Sequence, residues 1–215
     1  MKKIVSVFAG IFTALALLTG SIALPILVRP FYYAQIKPLE IPESVGLEVS
    51  EIKEAYRDVL DYCIGLSDDF SAGVLTFSDS GAAHFADVRV LFILDLVLFA
   101  VSIIALVLIA IWRRGKNTDL AKVFGRGPGF WGTAVLMGVI ILVGCFAAMD
   151  FDTAFTLFHK VFFPGKTNWV FDVYTDPVIL MLPMEFFRNC AIAIAAALLL
   201  AGSVVIVRDF AAGDK

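Results

Sequence analysis

The chain contains only two histidines in 215 residues, and each has a carboxylate at helical spacing. His84 and Asp87, in SGAAHFADVRV, are three residues apart and share one face of a helix. Asp152 and His159, in FDTAFTLFHKVFFPG, are seven apart, which is two turns and again one face. Imidazole is the side chain that most readily exchanges a proton near neutral pH. A carboxylate partner can fix its tautomer and stabilise its charged form. Two such pairs can divide the roles of general base and general acid, although spacing does not say which histidine takes which part. A lone histidine is more often structural; two of them, one in each long polar segment, make catalysis as good a reading as structure. Asp95 lies eleven residues past His84, close to three turns, and extends the first pair into a polar stripe. It falls within an apolar run, where a carboxyl marks a functional site or a neutral, hydrogen-bonded structural group.

Other chemistries have weaker support. His84, Asp87, Asp152 and His159 offer zinc two imidazoles and two carboxylates, but no HExxH or other tight ligand motif is present, so no metal is expected. Ser78 and Ser80 lie near His84 without a GxSxG elbow. Cys145 and Cys190 sit in apolar runs, and Cys63 has no neighbour that would activate it. GRGPG at 125–129 follows no strand, and neither a dinucleotide, a P-loop nor a nucleic-acid reading has support.

The elements that must position these groups are membrane helices. The chain is 60% hydrophobic and 17% charged, with a mean hydropathy of +0.90, well beyond a soluble domain. The excess gathers in four blocks, about 4–28, 88–112, 130–149 and 184–207, each near the roughly 20 residues that cross a bilayer as helix. The first block carries small residues at plausible cleavage spacing, Ser21 and Ala23, but it is longer than a signal peptide's apolar core and is expected to remain as a span. The expected organisation is a single all-α membrane domain over 1–215, with four spans and two extracytoplasmic segments that form a cap.

Lysine and arginine set the orientation. Residues 113–126 hold five basic residues against Asp119, and Lys2 and Lys3 precede the first span. Both termini and the 113–129 loop are therefore expected in the cytoplasm. Residues 29–89 hold eleven acids against five basic residues, and 150–188 hold five against three. The segments 29–87 and 150–183 are accordingly expected outside.

Within the first outer segment, Pro30, Pro38 and Pro42 are expected to keep the chain extended or turning. VSEIKEAYRDVLDYCIGL follows as an amphipathic helix capped by Ser50, with Val49, Ile52, Tyr56, Val59, Leu60 and Cys63 on one side. It would lie on the membrane surface or on the span bundle. Ser78 can cap a helix that runs unbroken into the second span. In the second segment Phe151, Phe155, Phe158 and Phe162 form a stripe beside His159, for packing or membrane contact, and FFPG ends the helix. The remainder, KTNWVFDVYTDPVILMLP, reads as an ordered, non-helical loop, with Trp169 and Tyr174 suited to the interface.

Two stretches carry a family resemblance. LTFSDSGAAHFADVRVLF resembles a motif of FS, then His six residues after the Ser, then Asp-Val. FDTAFTLFHKVFFPGKTNWVFDVYTDPVILMLPMEFF resembles, more specifically, FD…FTLFH…FFPG…NW.FD..TDP…LP..FF. Together they look like the four-span bacterial integral membrane family that includes lipoprotein intramolecular transacylases. The match runs over nearly the whole chain in span order. It departs at Gly81, where family members often carry glutamate, and the first span and cytoplasmic loop match only in character.

The resemblance implies acyl transfer at the outer leaflet. The sn-2 acyl chain of a diacylglyceryl lipoprotein would move to the α-amino group of the same N-terminal cysteine, giving the lyso form. Donor and acceptor are one molecule, so no cofactor is implied; the partners are the lipoprotein substrate and membrane lipids. His84 and His159 would be the catalytic pair, oriented by Asp87 and Asp152. Phe155 and Phe158 would hold acyl chains. Asn168, Trp169 and Asp95 complete the expected substrate site, with Asn168, Trp169 or backbone amides as donors to the oxyanion. The alternatives are a non-enzymatic membrane protein that binds lipid or a partner through its outer segments, and a metal-dependent membrane hydrolase.

Overall fold

A computed structural model describes residues 2–213. Among them the chain is all helix and turn, with no strand. Four helices are long and apolar enough to cross a membrane: α1 (Lys2–Leu27), α5 (Asp79–Lys116), α6 (Pro128–Met149) and α8 (Met184–Gly213). Between α1 and α5 lie the short helices α2 (Arg29–Tyr33) and α3 (Ile41–Val45) and the longer α4 (Val49–Cys63). Helix α7 (Phe151–Phe162) and a 3₁₀ turn (Pro177–Met181) fill the segment before α8. The expected spans fall in the four long helices, apart from Val28 just beyond α1.

Helix α5 has 38 residues, about 57 Å at 1.5 Å per residue. A hydrocarbon core is about 30 Å thick. The first turns of α5, which carry His84 and Asp87, therefore project beyond the apolar run that begins at Val88.

Two local expectations need correction. Pro30 and Pro42 do not hold the chain extended; each sits in the first turn of a short helix, where the missing N–H has no helical partner to lose. The cap of α4 is Glu48 rather than Ser50, and the Glu51 carboxylate accepts the Glu48 N–H at 2.9 Å.

The chain's contacts divide it into two units, and each long helix contributes to both: Met1–Ala23, Asp95–Cys145 and Ala193–Lys215 form the first, Leu24–Leu94 and Phe146–Ile192 the second. In the first unit, α1 and α6 meet at glycines. A Cβ on Gly132 would run into the Gly10 carbonyl, and one on Gly10 would stand 2.9 Å from the Pro128 carbonyl oxygen. Small residues that let backbones close up are the usual basis of helix contact in lipid. Asp209 accepts from the Gly127 N–H at 2.9 Å and pairs with Arg126, whose guanidinium covers Phe210 at 3.6 Å.

The second unit has a core of its own. Tyr32, Ile36, Ile41, Ile52, Val178 and Met181 are fully buried, each contributing about 1.5–3 kcal/mol by burial. Tyr32 joins the pieces. Its ring stacks on Tyr56 of α4 at 3.7 Å, its edge meets Phe186 of α8, and its hydroxyl donates to the Met181 carbonyl at 2.8 Å. The expected apolar side of α4 supplies Ile52, Tyr56, Val59, Leu60 and Cys63 to this core. Arg29 pairs with Asp61, and Asn189 donates to Gln35 at 2.7 Å.

Candidate active site

Helix α7 starts because Asp150 accepts hydrogen bonds from the Thr153 N–H at 3.0 Å and the Thr153 hydroxyl at 2.6 Å. It ends at Phe162, before Phe163, Pro164 and Gly165, the last at φ +75°. His159 is in its final turn. Helix α5 starts because the Ser78 hydroxyl accepts the Gly81 N–H at 3.0 Å. Ser78 is itself held by Asp176 of the second connecting segment, which accepts from the Ser78 N–H at 2.7 Å and from its hydroxyl at 2.8 Å. Asp176 is buried. Burial opposes its charge, but the bonds from Ser78 and Thr175 outweigh it and hold the carboxyl below the usual range.

Gly81 lies against this carboxylate. A Cβ there would overlap Asp176 Oδ1, so a side chain at 81 and Asp176 in this position exclude one another.

These two tethers bring the histidines together. The rings of His84 and His159, both buried, lie 5.8 Å apart between centroids, inclined by 33°. Phe163 and Phe171 meet the His84 ring edge-on at 5.1 and 5.4 Å. Phe155 lies 4.3 Å from His159, and Trp169 stacks on it at 4.7 Å. A cleft of about 300 Å³ runs along Phe155, Trp169, Phe171, Leu182 and Phe187, with Asp152 on its wall.

The environments of the two imidazoles differ. His159 Nδ1 is 2.8 Å from the Phe155 carbonyl oxygen. A carbonyl only accepts, so Nδ1 carries the hydrogen and Nε2 presents a lone pair. Burial lowers the His159 pKa, and the Phe155 carbonyl partly opposes this. His84 Nδ1 is buried and bonded to no described residue. Burial, reinforced by the His159 ring and Lys166 and opposed by Asp87, pushes His84 down to about 4. Both rings are therefore neutral at pH 7.

Among the described residues, neither carboxylate expected to orient the histidines bonds to an imidazole. Asp87 binds Lys166 and accepts from Asn168 Nδ2 at 3.1 Å. Burial would raise its pKa, but these two partners outweigh it and lower it. Asp152 is exposed, and the bond that fixes His159 comes from the Phe155 backbone instead. Trp169 donates its indole N–H to the Lys166 carbonyl at 3.1 Å; it is thus a wall for His159 rather than an oxyanion donor. Phe155 lines the cleft, whereas Phe158 packs on Phe162 and is 47% exposed. Asp95 belongs to the first unit.

Lys166, Phe163, Phe171 and Asp176 were missed in the sequence reading. All four lie in turns, where no periodicity marks a face. Two other candidate nucleophiles are closed off. Burial raises the Cys63 thiol to about 12, and the Ser78 hydroxyl is committed to Asp176. Among the described residues no three His, Cys, Asp or Glu side chains converge to hold a metal.

The profile of the family described as "Lipoprotein intramolecular transacylase Lit" matches residues 7–187. No curated protein sequence matches detectably. Among solved structures, the membrane integral lipoprotein intramolecular transacylase Lit from Bacillus cereus superposes with a TM-score of 0.86 at 26% identity, covering 99% of this chain and 95% of that one. Two structures of the same Bacillus cereus protein with one histidine replaced superpose at 0.77, with 26% and 25% identity, covering 97% and 95% of this chain and 89% and 90% of theirs. With its four membrane helices and a match over most of its length, this chain belongs to the lipoprotein intramolecular transacylase Lit family of acyltransferases.

Proposed function

We propose that this protein moves the sn-2 acyl chain of a diacylglyceryl lipoprotein to the α-amino group of the same molecule's N-terminal cysteine, at the outer leaflet, with His159 and His84 at the reacting carbon. The observation that carries this reading is the pair of neutral, buried imidazoles 5.8 Å apart, brought in by separate segments and walled by aromatic rings. The amine nitrogen attacks the ester carbonyl carbon, and a tetrahedral oxyanion forms. His159 Nε2 takes the proton released by the nitrogen, and the Phe155 carbonyl stabilises the resulting imidazolium. The C–O bond to the glycerol breaks. The same Nε2–H protonates the departing alkoxide, leaving a free sn-2 hydroxyl and a new amide. His84, too weak a base to compete, donates an N–H to the oxyanion. The aromatic cleft receives acyl chain, and the substrate itself keeps donor and acceptor within reach. Both connecting segments, 29–87 and 150–183, lie outside, and both termini are cytoplasmic.

Tandem mass spectrometry of a co-expressed reporter lipoprotein tests this. Transfer leaves the total mass unchanged, so fragment ions must locate the acyl chain. The expected product is an N-acylated lyso lipopeptide that disappears with His159→Ala. An unmodified diacylglyceryl peptide beside well-expressed protein would sink the reading.

A further inference from the structure

The cleft beside the histidines carries one charge. Asp152 lies on its wall, and no other acid or base lines it among the described residues. The rest of the lining is apolar or aromatic, apart from the Thr156 hydroxyl and the Trp169 indole N–H, which is already given to the Lys166 carbonyl. Asp152 is exposed, and its carboxylate pairs with no described cation. Lys166, whose charge bears on His84, is matched by Asp87. The cleft therefore carries net negative charge.

The same walls reach the histidine pair. Phe155 and Trp169 line the cleft and pack on His159 at 4.3 and 4.7 Å, and Phe171 lines it and packs on His84 at 5.4 Å. A molecule in the cleft meets Asp152 and these rings together. Asp152 precedes His159 by two turns of α7, about 10 Å along the axis. That is too far to touch the reacting carbon, and close enough to act on the rest of the molecule that brings it.

Charge separates the lipoprotein from the lipids around it. A phospholipid presents the same sn-2 ester, but its glycerol carries a phosphate. A diacylglyceryl cysteine carries a neutral thioether at that carbon, with the α-ammonium a few bonds away. Apolar walls cannot tell two identical acyl chains apart, whereas a carboxylate attracts the ammonium and repels the phosphate.

We propose that Asp152 is a specificity-determining residue of the cleft, which draws in the α-ammonium end of a diacylglyceryl lipoprotein and turns away anionic phospholipids. This rests on the acyl-transfer reading above and names how that site selects its donor. The carboxylate acts on entry and not on the attack, for which the amine must be neutral.

Equilibrium binding to the full-length protein in a non-ionic detergent tests this without turnover. Three ether-linked probes cannot transfer a chain: a dialkylglyceryl lipopeptide with a free α-amine, its des-amino counterpart, and a dialkyl phosphatidylglycerol. At pH 7 the amine is largely protonated. The wild type should prefer the amine probe to the des-amino probe about fivefold, the upper range for an exposed ion pair, and should bind the phosphatidylglycerol most weakly. Asp152→Asn should remove the amine preference and tighten phosphatidylglycerol binding, and Asp152→Lys should reverse the order. If neither variant folds, the wild type alone decides: raising sodium chloride from about 0.01 M to about 1 M should erase its preference. A preference that survives in Asp152→Asn, or that salt does not weaken, overturns the proposal, and so does equal wild-type affinity for the three probes. Failure of the wild type to bind either lipopeptide probe instead refutes the transacylase reading itself.

Discussion

At His159 the Phe155 carbonyl accepts the Nδ1 hydrogen and leaves Nε2 as the base. His159→Ala removes that atom and should lower lyso-lipoprotein formation about 10²–10⁴-fold, the usual range for a lost general base. His159→Gln should be no better, because a carboxamide does not shuttle protons. At His84 the proposed contribution is an N–H. His84→Ala should reduce the rate about 10²–10³-fold, and His84→Gln, which keeps an N–H, should recover part of it. Initial rates on protein shown to be folded separate the two patterns. The same burial couples His84 to stability. Its unfolded pKa is about 6.5 and its folded pKa about 4, so below pH 6.5 the unfolded chain takes up a proton that the folded site refuses. Stability should be full above pH 6.5 and decline by about 3 kcal/mol as pH falls toward 4. Thermal midpoints between pH 8 and 4.5 measure this, and His84→Phe should flatten the profile.

The elements are aligned by Asp176, which ties the second connecting segment to the first turn of the His84 helix. Asp176→Ala leaves the Ser78 N–H and hydroxyl without that partner, at about 1–3 kcal/mol for each group that stays buried. Both the thermal midpoint and acyl transfer should fall, with Asp176→Asn losing less. Gly81→Ala attacks the same contact from the other side, since its Cβ overlaps Asp176 Oδ1. The two substitutions share one interaction and should not add. A double-mutant cycle on thermal stability checks this, and full additivity would mean that the Gly81 contact and the Ser78 tie are independent.

For the whole molecule, the proposed orientation, with both histidine-bearing segments outside, rests on the distribution of lysine and arginine. In a chain whose three cysteines are replaced by serine, Tyr174→Cys should react with an impermeant maleimide added to intact cells; Tyr174 is 91% exposed. Asn117→Cys, in the basic loop, should react only after permeabilisation. Reversed labelling would put the site on the cytoplasmic side.

The sequence by itself determined the four spans, because an apolar run near bilayer length is best satisfied as a membrane helix, and it determined a local stop such as FFPG, which ends the helix at Phe162. It also singled out the two histidines, because no others exist. What it could not determine is what each polar group meets. Spacing puts Asp87 beside His84 and Asp152 beside His159, and a shared helical face suggests pairing. Only the tertiary structure decides that Asp87 turns to Lys166 and Asn168, brought from a turn some eighty residues away, and that His159 is fixed by its own backbone. The caps show the same limit at a smaller scale. Ser78 was legible as a cap, but its anchor, Asp176, was not. A hydrogen bond within one turn is encoded by neighbours in the chain, whereas a partner ninety-eight residues away is chosen by how the segments pack.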